Sequence, residues 1–465
     1  MSANVVVEKV LEGYFAPEQA GGYHHVPFEM PEGVCRLEVA YSYDHAIDSD
    51  PHLVGGNTVD IGLFDSRGVA YPGQGFRGWT GSARSELFIT PAEATPGYLP
   101  GPLWPGIWHI LLGFYKSAPQ GCHYRVTLRF YFGMADEAQP VSPPLLTLDT
   151  AGTRLRQRLD GWYRGELHCH TLHSDGDSPP EALIAQAQGL GLDFLAITDH
   201  NAISHLVALA KLGPQDITII PGCEVTTYKG HWNVWGVDEW IDFRTLTPEL
   251  MRASIQRAND LGFLTSCNHP RPYGPPWEFT EVLNQHCIEV WNGPWEIFNH
   301  TALELWDAQL RAGRRMVAVG GSDAHNLQSN AVARIGTPTT WIYTPEVPTA
   351  RALLEGLRAG HAFLSGSPAG PQLYLRAGRT LMGDTMGRPD SALLAVQVRV
   401  VGGNGLMLEL CTADGCVVRQ AVTADDQAFA LEVPVAGTPY VRAQLVEPEK
   451  QPLTVHALTN PIYLE

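Results

Sequence analysis

The sequence is poor in positive charge. Among its 465 residues, 31 are Lys or Arg and 49 are Asp or Glu, which gives a formal net charge of −18. A chain with this balance lacks the basic surface that binds nucleic acids or acidic membranes, so we expect neither as a partner. Divalent cations remain compatible with an acidic chain, because a bound ion is often the largest charge in a pocket.

Long apolar runs, a leader segment and paired cysteine motifs are also missing. No stretch is apolar over the length that crosses a bilayer, and the first residues lack the basic segment and apolar core of a signal peptide. The eight cysteines are scattered without C-x-x-C pairs, so neither a disulfide framework nor a zinc finger is indicated. These features predict a cytoplasmic protein with reduced thiols and no membrane partner.

Alternating apolar and polar residues characterise the first third of the chain. Strands are predicted at residues 34–41, 57–65, 106–115 and 122–132, and turn signals such as Asp65-Ser66-Arg67-Gly68 separate such runs. This pattern is typical of a sandwich or jelly roll. We therefore predict an N-terminal β-sandwich domain over residues 1–144 and a proline-rich linker from about residue 136 to 150.

After residue 150 the predicted strands alternate with helices, the first of which covers residues 179–188. This alternation predicts an α/β domain with a parallel sheet over residues 150–370. Polar residues at the carboxyl ends of its strands predict a barrel whose active site lies on that face. A β pattern returns later and predicts a C-terminal β-sandwich domain over residues 371–465.

Histidines and carboxylates follow the predicted strands of the middle domain. His168 and His170 would project side by side, because alternate residues of a strand point the same way. Taken alone, such a pair is more often two ordinary histidines on a strand. The full candidate set is His168, His170, Asp175, His200, Glu224, His231, His269, Asp323 and His325. Nitrogen and oxygen ligands without thiolates suit a catalytic site for zinc, manganese or iron, and nine are enough for two or three ions.

Some candidates also have ordinary structural explanations. His231 could be a packed, hydrogen-bonded imidazole, and Asp175 could be a turn residue before a glycine. Glu224 could cap the loop that follows its strand. Asp199 could bind a metal itself, or it could orient the imidazole of His200.

Five motifs in this order resemble those of the polymerase and histidinol phosphatase (PHP) family. They are His168-Cys169-His170-Thr171 with Ser174-Asp175-Gly176, Thr198-Asp199-His200-Asn201, Gly222-Cys223-Glu224, Asn268-His269-Pro270 and Gly321-Ser322-Asp323-Ala324-His325. The resemblance covers residues 161–367 and implies a distorted (β/α)7 PHP barrel with two or three divalent ions.

The resemblance also implies which residues hold which ion. His168, His170, Glu224 and Asp323 would hold the first ion. Glu224 would bridge to a second ion held by His231 and His269. Asp175, His200 and His325 would hold a third. Some members of the family have a histidine near position 175, so the occupancy of the third place stays open between two ions and three.

Hydrolysis through a metal-bound hydroxide is the chemistry that such a cluster supports. We predict a phosphoesterase that acts on small phosphate mono- or diesters. Arg271 directly follows His269-Pro270 and could grip the anion, since guanidinium pairs with phosphate in a bidentate manner. A surface salt bridge explains Arg271 equally well. His325 and Asp199 are candidates for the general acid.

Two alternatives to a phosphoesterase remain. The β modules on both sides of the barrel look similar to the carbamate-insecticide hydrolase branch of the family, which indicates a carbamate, ester or amide hydrolase. Six aromatic residues would suit a flat apolar substrate, although an aromatic-rich core explains them as well: Trp232, Trp235, Tyr273, Trp277, Trp291 and Trp295. A non-catalytic binding protein with structural metals is the third reading. The sequence leaves the oligomeric state open between a monomer and a homo-oligomer.

Overall fold

The computed structural model describes residues 5–133, 143–328, 331–450 and 452–465. Within these ranges the chain is an α/β protein with many strands and five α-helices, and all five helices lie between residues 180 and 358. No helix in the described ranges combines the length and the apolar character needed to cross a membrane.

The first eight strands form two antiparallel four-stranded sheets, ordered β1-β8-β3-β6 and β2-β7-β4-β5. The strands are β1 Val5–Phe15, β2 Gly22–Met30, β3 Val34–Tyr43, β4 Thr58–Phe64, β5 Phe76–Gly81, β6 Glu86–Ile89, β7 Gly106–Lys116 and β8 Cys122–Phe132. One apolar cluster takes side chains from both sheets, including Val39, Val59, Leu112 and Val126. The four strands predicted in this part of the sequence are confirmed.

The predicted linker lies outside the described residues as far as residue 142. Beyond that point the chain packs against the middle of the protein. Leu146 is buried, and its backbone N–H donates to the carbonyl of Leu206 at 2.9 Å. Residues 143–150 are therefore attached to the middle domain.

The middle of the chain contains nine strands and the five helices. The strands are β9 Trp162–Glu166, β10 Phe194–Ile197, β11 Thr218–Thr227, β12 Gly230–Trp235, β13 Leu264–Cys267, β14 Cys287–Asn292, β15 Val317–Gly321, β16 Thr339–Tyr343 and β17 Ala362–Ser365. The helices are α1 Pro180–Gly189, α2 Ser204–Ala210, α3 Pro248–Asp260, α4 Asn299–Arg311 and α5 Ala350–Arg358. The strands pair in the order β15-β14-β13-β12-β11-β10-β9-β16-β17.

This sheet is parallel only in part. β9, β10 and β11 are parallel neighbours, as are β13, β14 and β15. β12 runs antiparallel to β11 and β13, and β16 runs antiparallel to β9. β11 and β12 are joined by a hairpin in which Thr227 pairs with Gly230, and a connection this short allows only antiparallel pairing. The prediction of a parallel sheet is wrong at these two strands.

The loops after β9 and β15 meet, which brings the first and last strands of the parallel series together. Cys169 and Ala324 form an isolated parallel bridge. The backbone N–H of His170 donates to Ala324 at 2.9 Å, and that of Asp323 donates to His168 at 2.8 Å. Polar residues at the carboxyl ends of these strands therefore face a common space, as predicted.

Ten strands of the described residues follow β17 along the chain. They are β18 Gln372–Ala377, β19 Thr380–Leu381, β20 Thr385–Met386, β21 Leu393–Val401, β22 Met407–Thr412, β23 Gly415–Ala421, β24 Asp426–Pro434, β25 Tyr440–Val446, β26 Val455–Thr459 and β27 Ile462–Leu464. β26 pairs with β17, so β26, β25, β22 and β23 extend the middle sheet, while β19, β18, β21 and β24 form a separate sheet. One core joins Trp162 and Phe363 of the middle strands to Leu375 and Val398.

Candidate metal centre

The loop after β9 places two histidines in one buried space. His168 and His170 are both almost fully buried, and their rings lie 5.2 Å apart. Cys169 between them belongs to the apolar core, and its thiol donates to the carbonyl of Ala196 at 3.4 Å. The strand-like alternation therefore continues through this loop, with the imidazoles on one side and the thiol on the other.

Glu224 of β11 lies at the centre of a group of imidazoles. Its Oε1 atom lies 3.4 Å from His168 Nε2, 3.4 Å from His231 Nδ1 and 3.3 Å from His269 Nε2. Its Oε2 atom lies 2.8 Å from His200 Nδ1. One carboxylate thus faces histidines from both sides, which is the arrangement of a bridging ligand.

Asp323 completes the group around the first two histidines. Its Oδ1 atom lies 3.0 Å from His170 Nε2 and 3.4 Å from His168 Nε2. The backbone of Asp323 has φ of 57°, in the left-handed region that costs energy for residues other than glycine. The hydrogen bond from the Asp323 N–H to the His168 carbonyl helps to hold this backbone conformation.

Asp175, His200 and His325 form a third group. Asp175 Oδ1 lies 3.4 Å from His200 Nε2 and 3.3 Å from His325 Nε2, and the two Nε2 atoms are 3.4 Å apart. His325 Nδ1 lies 2.9 Å from the carbonyl oxygen of Asp323. Because a carbonyl only accepts, Nδ1 carries a proton, and Nε2 is the ring atom that faces the other two side chains.

These separations fit donor atoms that share metal ions. Metal–ligand bonds of roughly 2.0–2.2 Å place neighbouring ligand atoms about 3.0–3.5 Å apart. His168 Nε2 is buried and makes no hydrogen bond of good geometry among the described residues, a costly state that a cation would relieve. Four sets of donor atoms lie within 4.8 Å of one another: His170, Asp175, His200 and His325; His168, Glu224 and His269; His168, His170 and Asp323; His200, Glu224 and His231.

All nine sequence-predicted ligand residues are therefore brought together, although their binding of metal stays a prediction. The nitrogen and oxygen donors fit the divalent ions expected, and four residues each belong to two of the sets: His168, His170, His200 and Glu224. The donor groups do not distinguish zinc, manganese and iron.

The charge states of the cluster are mixed when no ion is bound. Burial and the neighbouring imidazoles of His325 and His200 lower the pKa of His170 to about 4, so this imidazole is neutral at pH 7. Against the effect of burial, the neighbouring carboxylates raise the pKa of His168, His200 and His325, the last to about 10. Burial opposes ionisation of Glu224, yet the imidazoles of His168, His200 and His231 hold the pKa of that carboxyl well below its usual range. Metal binding would therefore displace protons from the imidazoles.

The two sides of the cluster differ in exposure. His168 and Glu224 are completely buried, whereas the side chains of Asp175 and His325 are 45% and 33% exposed. The group of Asp175, His200 and His325 is therefore the mouth of the site, and Glu224 lies at its floor.

Three supporting residues were not predicted from the sequence. Glu289 of β14 places Oε1 2.9 Å from His168 Nδ1, and its Oε2 accepts from the His269 backbone N–H at 2.9 Å. Asn268 donates to Glu224 Oε1 at 2.8 Å. Glu166 accepts from the backbone N–H groups of His168, Ser322 and Gly336. A buried carboxylate inside an apolar strand is the sequence signal that could have identified Glu289.

Asp199, predicted as a ligand-orienting or acid residue, faces the loop after β9. Its carboxylate accepts from the Thr171 backbone N–H at 2.7 Å, the Thr171 hydroxyl at 2.6 Å and the Ser174 hydroxyl at 2.7 Å. His205 is fully buried, with Nδ1 3.4 Å from Asp199. Asp199 thus anchors the loop that carries Asp175, and its role as an acid stays a prediction.

Arg271 is buried, and its guanidinium group donates hydrogen bonds to other residues of the protein. Nη1 donates to the carbonyls of Asn292 at 2.8 Å and Ile297 at 2.7 Å, and Nη2 donates to the Asn292 side chain at 2.5 Å. Of its nitrogens, Nε has no partner among the described residues. Contact between Arg271 and a substrate anion stays a prediction, for which this conformation leaves the Nε–H and the second N–H of Nη2.

Five of the six aromatic residues near the motifs are core residues. Trp232, Trp235, Trp277, Trp291 and Trp295 are all buried. Tyr273 is 49% exposed and is the only one of the six that is open to solvent.

Comparison with known proteins identifies one domain. Residues 166–285 match the model of the PHP domain. The resemblance to this family is therefore confirmed for the part of the chain that contains the motifs from His168 to His269. Asp323 and His325 lie beyond the matched residues, and the fold brings them to the same cluster.

Among curated proteins, short segments match error-prone DNA polymerases. The chain is 48% identical to the Cutibacterium acnes polymerase over 48 residues, which is 10% of this chain and 4% of that polymerase. It is 39% identical to the Mycobacterium tuberculosis polymerase over 64 residues, which is 13% of this chain and 6% of that protein. The matches span only a small part of these relatives.

Among solved structures, one similar chain is a two-domain protein from Bacteroides vulgatus containing a predicted PHP-like metal-dependent phosphoesterase. It is 16% identical, with a TM-score of 0.37, over 66% of this chain and 98% of that one. Another is an amidohydrolase from Chromobacterium violaceum with bound sulfate, 14% identical, with a TM-score of 0.27, over 37% of this chain and 90% of that one.

Proposed function

We propose that this PHP-domain chain is a metal-dependent hydrolase, and that it acts as a phosphoesterase on small phosphate mono- or diesters. The observation that carries the proposal is the cluster of nine nitrogen and oxygen donors around Glu224, open to solvent at Asp175 and His325. A structural metal site is closed, whereas an open ligand position is typical of a catalytic one.

The charge of the cluster favours an anionic substrate. Asp175, Glu224 and Asp323 bring three negative charges, so two divalent ions would leave the site with one positive charge and three would leave it with three. Electrostatic attraction to this positive charge would strengthen the binding of an anionic phosphate ester. It would strengthen the binding of a neutral carbamate much less. This argument does not need Arg271, whose guanidinium is held by the protein.

Bound divalent ions would supply an activated water and would neutralise charge on a phosphoryl oxygen. The residues of the chain would keep the donors in place. Glu289 fixes the orientation of His168, and Asn268 fixes that of Glu224. His325 would serve as a ligand through Nε2, because its Nδ1 proton is engaged by the Asp323 carbonyl.

For the architecture, we propose a distorted (β/α)7 barrel over residues 150–370 between β-sandwich domains over residues 1–144 and 371–465. The supporting observations are the meeting of the loops after β9 and β15 and the apolar cluster shared by the two N-terminal sheets. The layout that resembles the carbamate-hydrolase branch makes carbamate cleavage the competing proposal. The burial of five tryptophans weakens it, since Tyr273 alone among the six aromatic residues near the motifs is exposed.

The test measures turnover of p-nitrophenyl phosphate, bis-p-nitrophenyl phosphate and 1-naphthyl methylcarbamate by protein loaded with manganese or zinc. Metal content is determined on the same samples by elemental analysis. We expect two or three ions per chain and turnover of a phosphate ester. Fully loaded protein that releases naphthol and cleaves neither phosphate ester would establish carbamate hydrolysis instead.

A matched pair of variants tests the cluster itself. Glu224→Ala removes the bridging carboxylate and should abolish turnover while lowering the metal content. Glu278→Ala removes an exposed carboxylate paired with Lys229 and should leave both unchanged. A folded Glu224→Ala protein with normal turnover would show that the cluster is not catalytic.

A further inference from the structure

Two cysteines face each other across the hairpin formed by β22 and β23. Cys411 pairs with Cys416 in the antiparallel register, directly beside the pair Thr412 and Gly415 that closes the turn. Residues opposite each other in such a ladder have Cα atoms roughly 4.5–5.5 Å apart. A disulfide needs about 4.4–6.8 Å. The backbone therefore already holds this pair at a distance that a disulfide can span.

The two thiols differ in access to solvent. Cys416 is exposed, whereas Cys411 is only 5% exposed. A small oxidant in solution can reach the first sulfur directly. The second sulfur is protected from the solvent but lies next to the first.

The surroundings of Cys416 stabilise its thiolate. A hydrogen bond from the Cys411 thiol and a further one from Arg419 lower the pKa of Cys416 to about 6, against the effect of partial burial. Arg419 itself is held on the hairpin by an ion pair with Glu409 at 2.8 Å. The thiolate is the form of cysteine that reacts with peroxides.

We propose that Cys416 and Cys411 are an oxidation site for hydrogen peroxide, at which Cys416 reacts first and Cys411 closes a disulfide across the hairpin. The Cys416 thiolate attacks one peroxide oxygen, and the O–O bond breaks to give a sulfenic acid and hydroxide. The Cys411 sulfur then attacks the Cys416 sulfur, the S–O bond breaks, and water leaves with the thiol proton. The two thiols lose two electrons, and the peroxide is reduced to two water molecules.

The other six cysteines lack this combination of features. Cys122, Cys169, Cys223, Cys267 and Cys287 are buried. Cys35 is partly exposed, and its thiol donates to the Tyr131 carbonyl at 3.3 Å, as that of Cys416 does to the Val418 carbonyl at 3.6 Å. Unlike Cys416, it has no cysteine opposite it in its strand pairings. Cys35 is therefore a control thiol in the same molecule.

The experiment treats the reduced full-length protein with hydrogen peroxide, alkylates the remaining thiols and analyses peptides by mass spectrometry. Trypsin leaves both cysteines in one peptide, residues 400–419. We expect this peptide to become lighter by two hydrogen atoms and to escape alkylation, at peroxide concentrations that leave Cys35 alkylated. Cleavage after Asp414 should then give two peptides joined by the disulfide.

Variants separate the two roles. Cys411→Ser should let the sulfenic acid of Cys416 persist, so that dimedone labels it, and Cys416→Ser should prevent the reaction of Cys411. Cys35→Ser is the matched control and should change neither result. The proposal is overturned if the wild-type peptide stays reduced when Cys35 is oxidised, or if Cys411 reacts equally fast in Cys416→Ser. The wild-type result does not depend on how the variants fold.

Discussion

The carboxylate of Glu289 shows how one residue outside the donor set controls a donor within it. It contacts the His168 ring and also accepts from the His269 backbone, so a single side chain connects the ligand groups of two strands. Such partners set which ring nitrogen carries the proton and which keeps its lone pair.

Glu289→Gln should therefore weaken metal binding while the fold persists. The amide keeps the shape of the carboxylate but loses the charge that makes the imidazole a better ligand, and such changes cost about 10- to 100-fold in affinity. Equilibrium titration with zinc in the presence of a competing chelator measures the change. Glu278→Gln, at the surface, is the control. Equal affinities for the two variants would contradict the orienting role.

Asp60 is a residue that should make the stability of the fold depend on pH. It lies on β4, is buried, and accepts a hydrogen bond from the Tyr228 hydroxyl at 2.6 Å. Burial raises its pKa to about 6, against the effect of that hydrogen bond. The folded state thus binds this proton more tightly than the unfolded chain, where the pKa is about 3.9.

The contribution of Asp60 to stability should be present below about pH 4 and should be lost as the pH rises through about 6. Over that window, the free energy of unfolding of the wild type should fall by up to about 3 kcal/mol relative to Asp60→Asn. Urea unfolding of both proteins at several pH values gives this difference, in which other titrating groups cancel. Parallel curves would mean that folding leaves the pKa of Asp60 unchanged.

At the scale of elements, the N-terminal strands hold the hairpin that carries the centre of the metal cluster. Tyr228 lies at the turn between β11, with Glu224, and β12, with His231. Its ring stacks on Tyr23 and Tyr115 at centroid distances of 5.0 and 4.8 Å. The position of the hairpin thus depends on a domain that supplies none of the nine donors.

Tyr228→Ala should lower both stability and metal affinity. Loss of this partly buried aromatic side chain should cost up to about 3 kcal/mol, and loss of an outer support should reduce affinity by about tenfold or more. Phe28→Ala, in the core between the two N-terminal sheets and away from the hairpin, should cost at least as much stability and leave metal affinity unchanged. Unfolding curves and metal titrations of the two variants make the comparison. If both variants lose metal affinity equally, the loss is caused by general destabilisation of the fold and not by the position of the hairpin.

The sequence predicted elements well where the signal is local. The long alternating strands β3, β4, β7 and β8 lie where expected. In β12 all six residues are buried, so buried and exposed positions do not alternate along it. Its direction depends on strand partners that are distant in sequence. Pairing of this kind cannot be derived from residue patterns alone.

Seven of the nine donors follow the ends of strands, which converge, whereas Glu224 lies within β11 and His231 within β12. The resemblance to the PHP family completed the predicted set. The partners of Glu289, Asp199 and Arg271 were not predictable. A carboxylate within a strand has the same sequence pattern whether it faces an imidazole or solvent. An arginine after His269-Pro270 could equally reach a substrate or the Asn292 carbonyl, and only the tertiary structure distinguishes the two.

At the scale of the whole molecule, the C-terminal strands are joined to the middle domain by a buried ion pair as well as by the pairing of β17 with β26. Arg442 of β25 contacts Asp307 of α4 through two hydrogen bonds, at 2.9 and 2.7 Å, and both side chains are largely buried. An isolated charge is costly at such a place.

Arg442→Ala should therefore lower the free energy of unfolding by about 3–5 kcal/mol, because it leaves Asp307 without its partner. The matched control is Arg399→Ala, which breaks the exposed pair with Asp426 and should cost about 0–1 kcal/mol. Denaturant unfolding followed by circular dichroism measures both. Similar small losses would show that the buried pair does not hold the C-terminal strands in place.

The unequal exposure of the cluster also predicts that its ions would exchange at different rates. Water and chelators reach the carboxylate of Asp175 directly, whereas the floor around Glu224 is sealed by the surrounding strands. An ion at the mouth would exchange without any opening of the fold, and ions at the floor would leave only when strand ends separate. Brief dialysis against a chelator should therefore produce a kinetically trapped form that has lost the outer ion alone, and elemental analysis over hours would resolve the two phases.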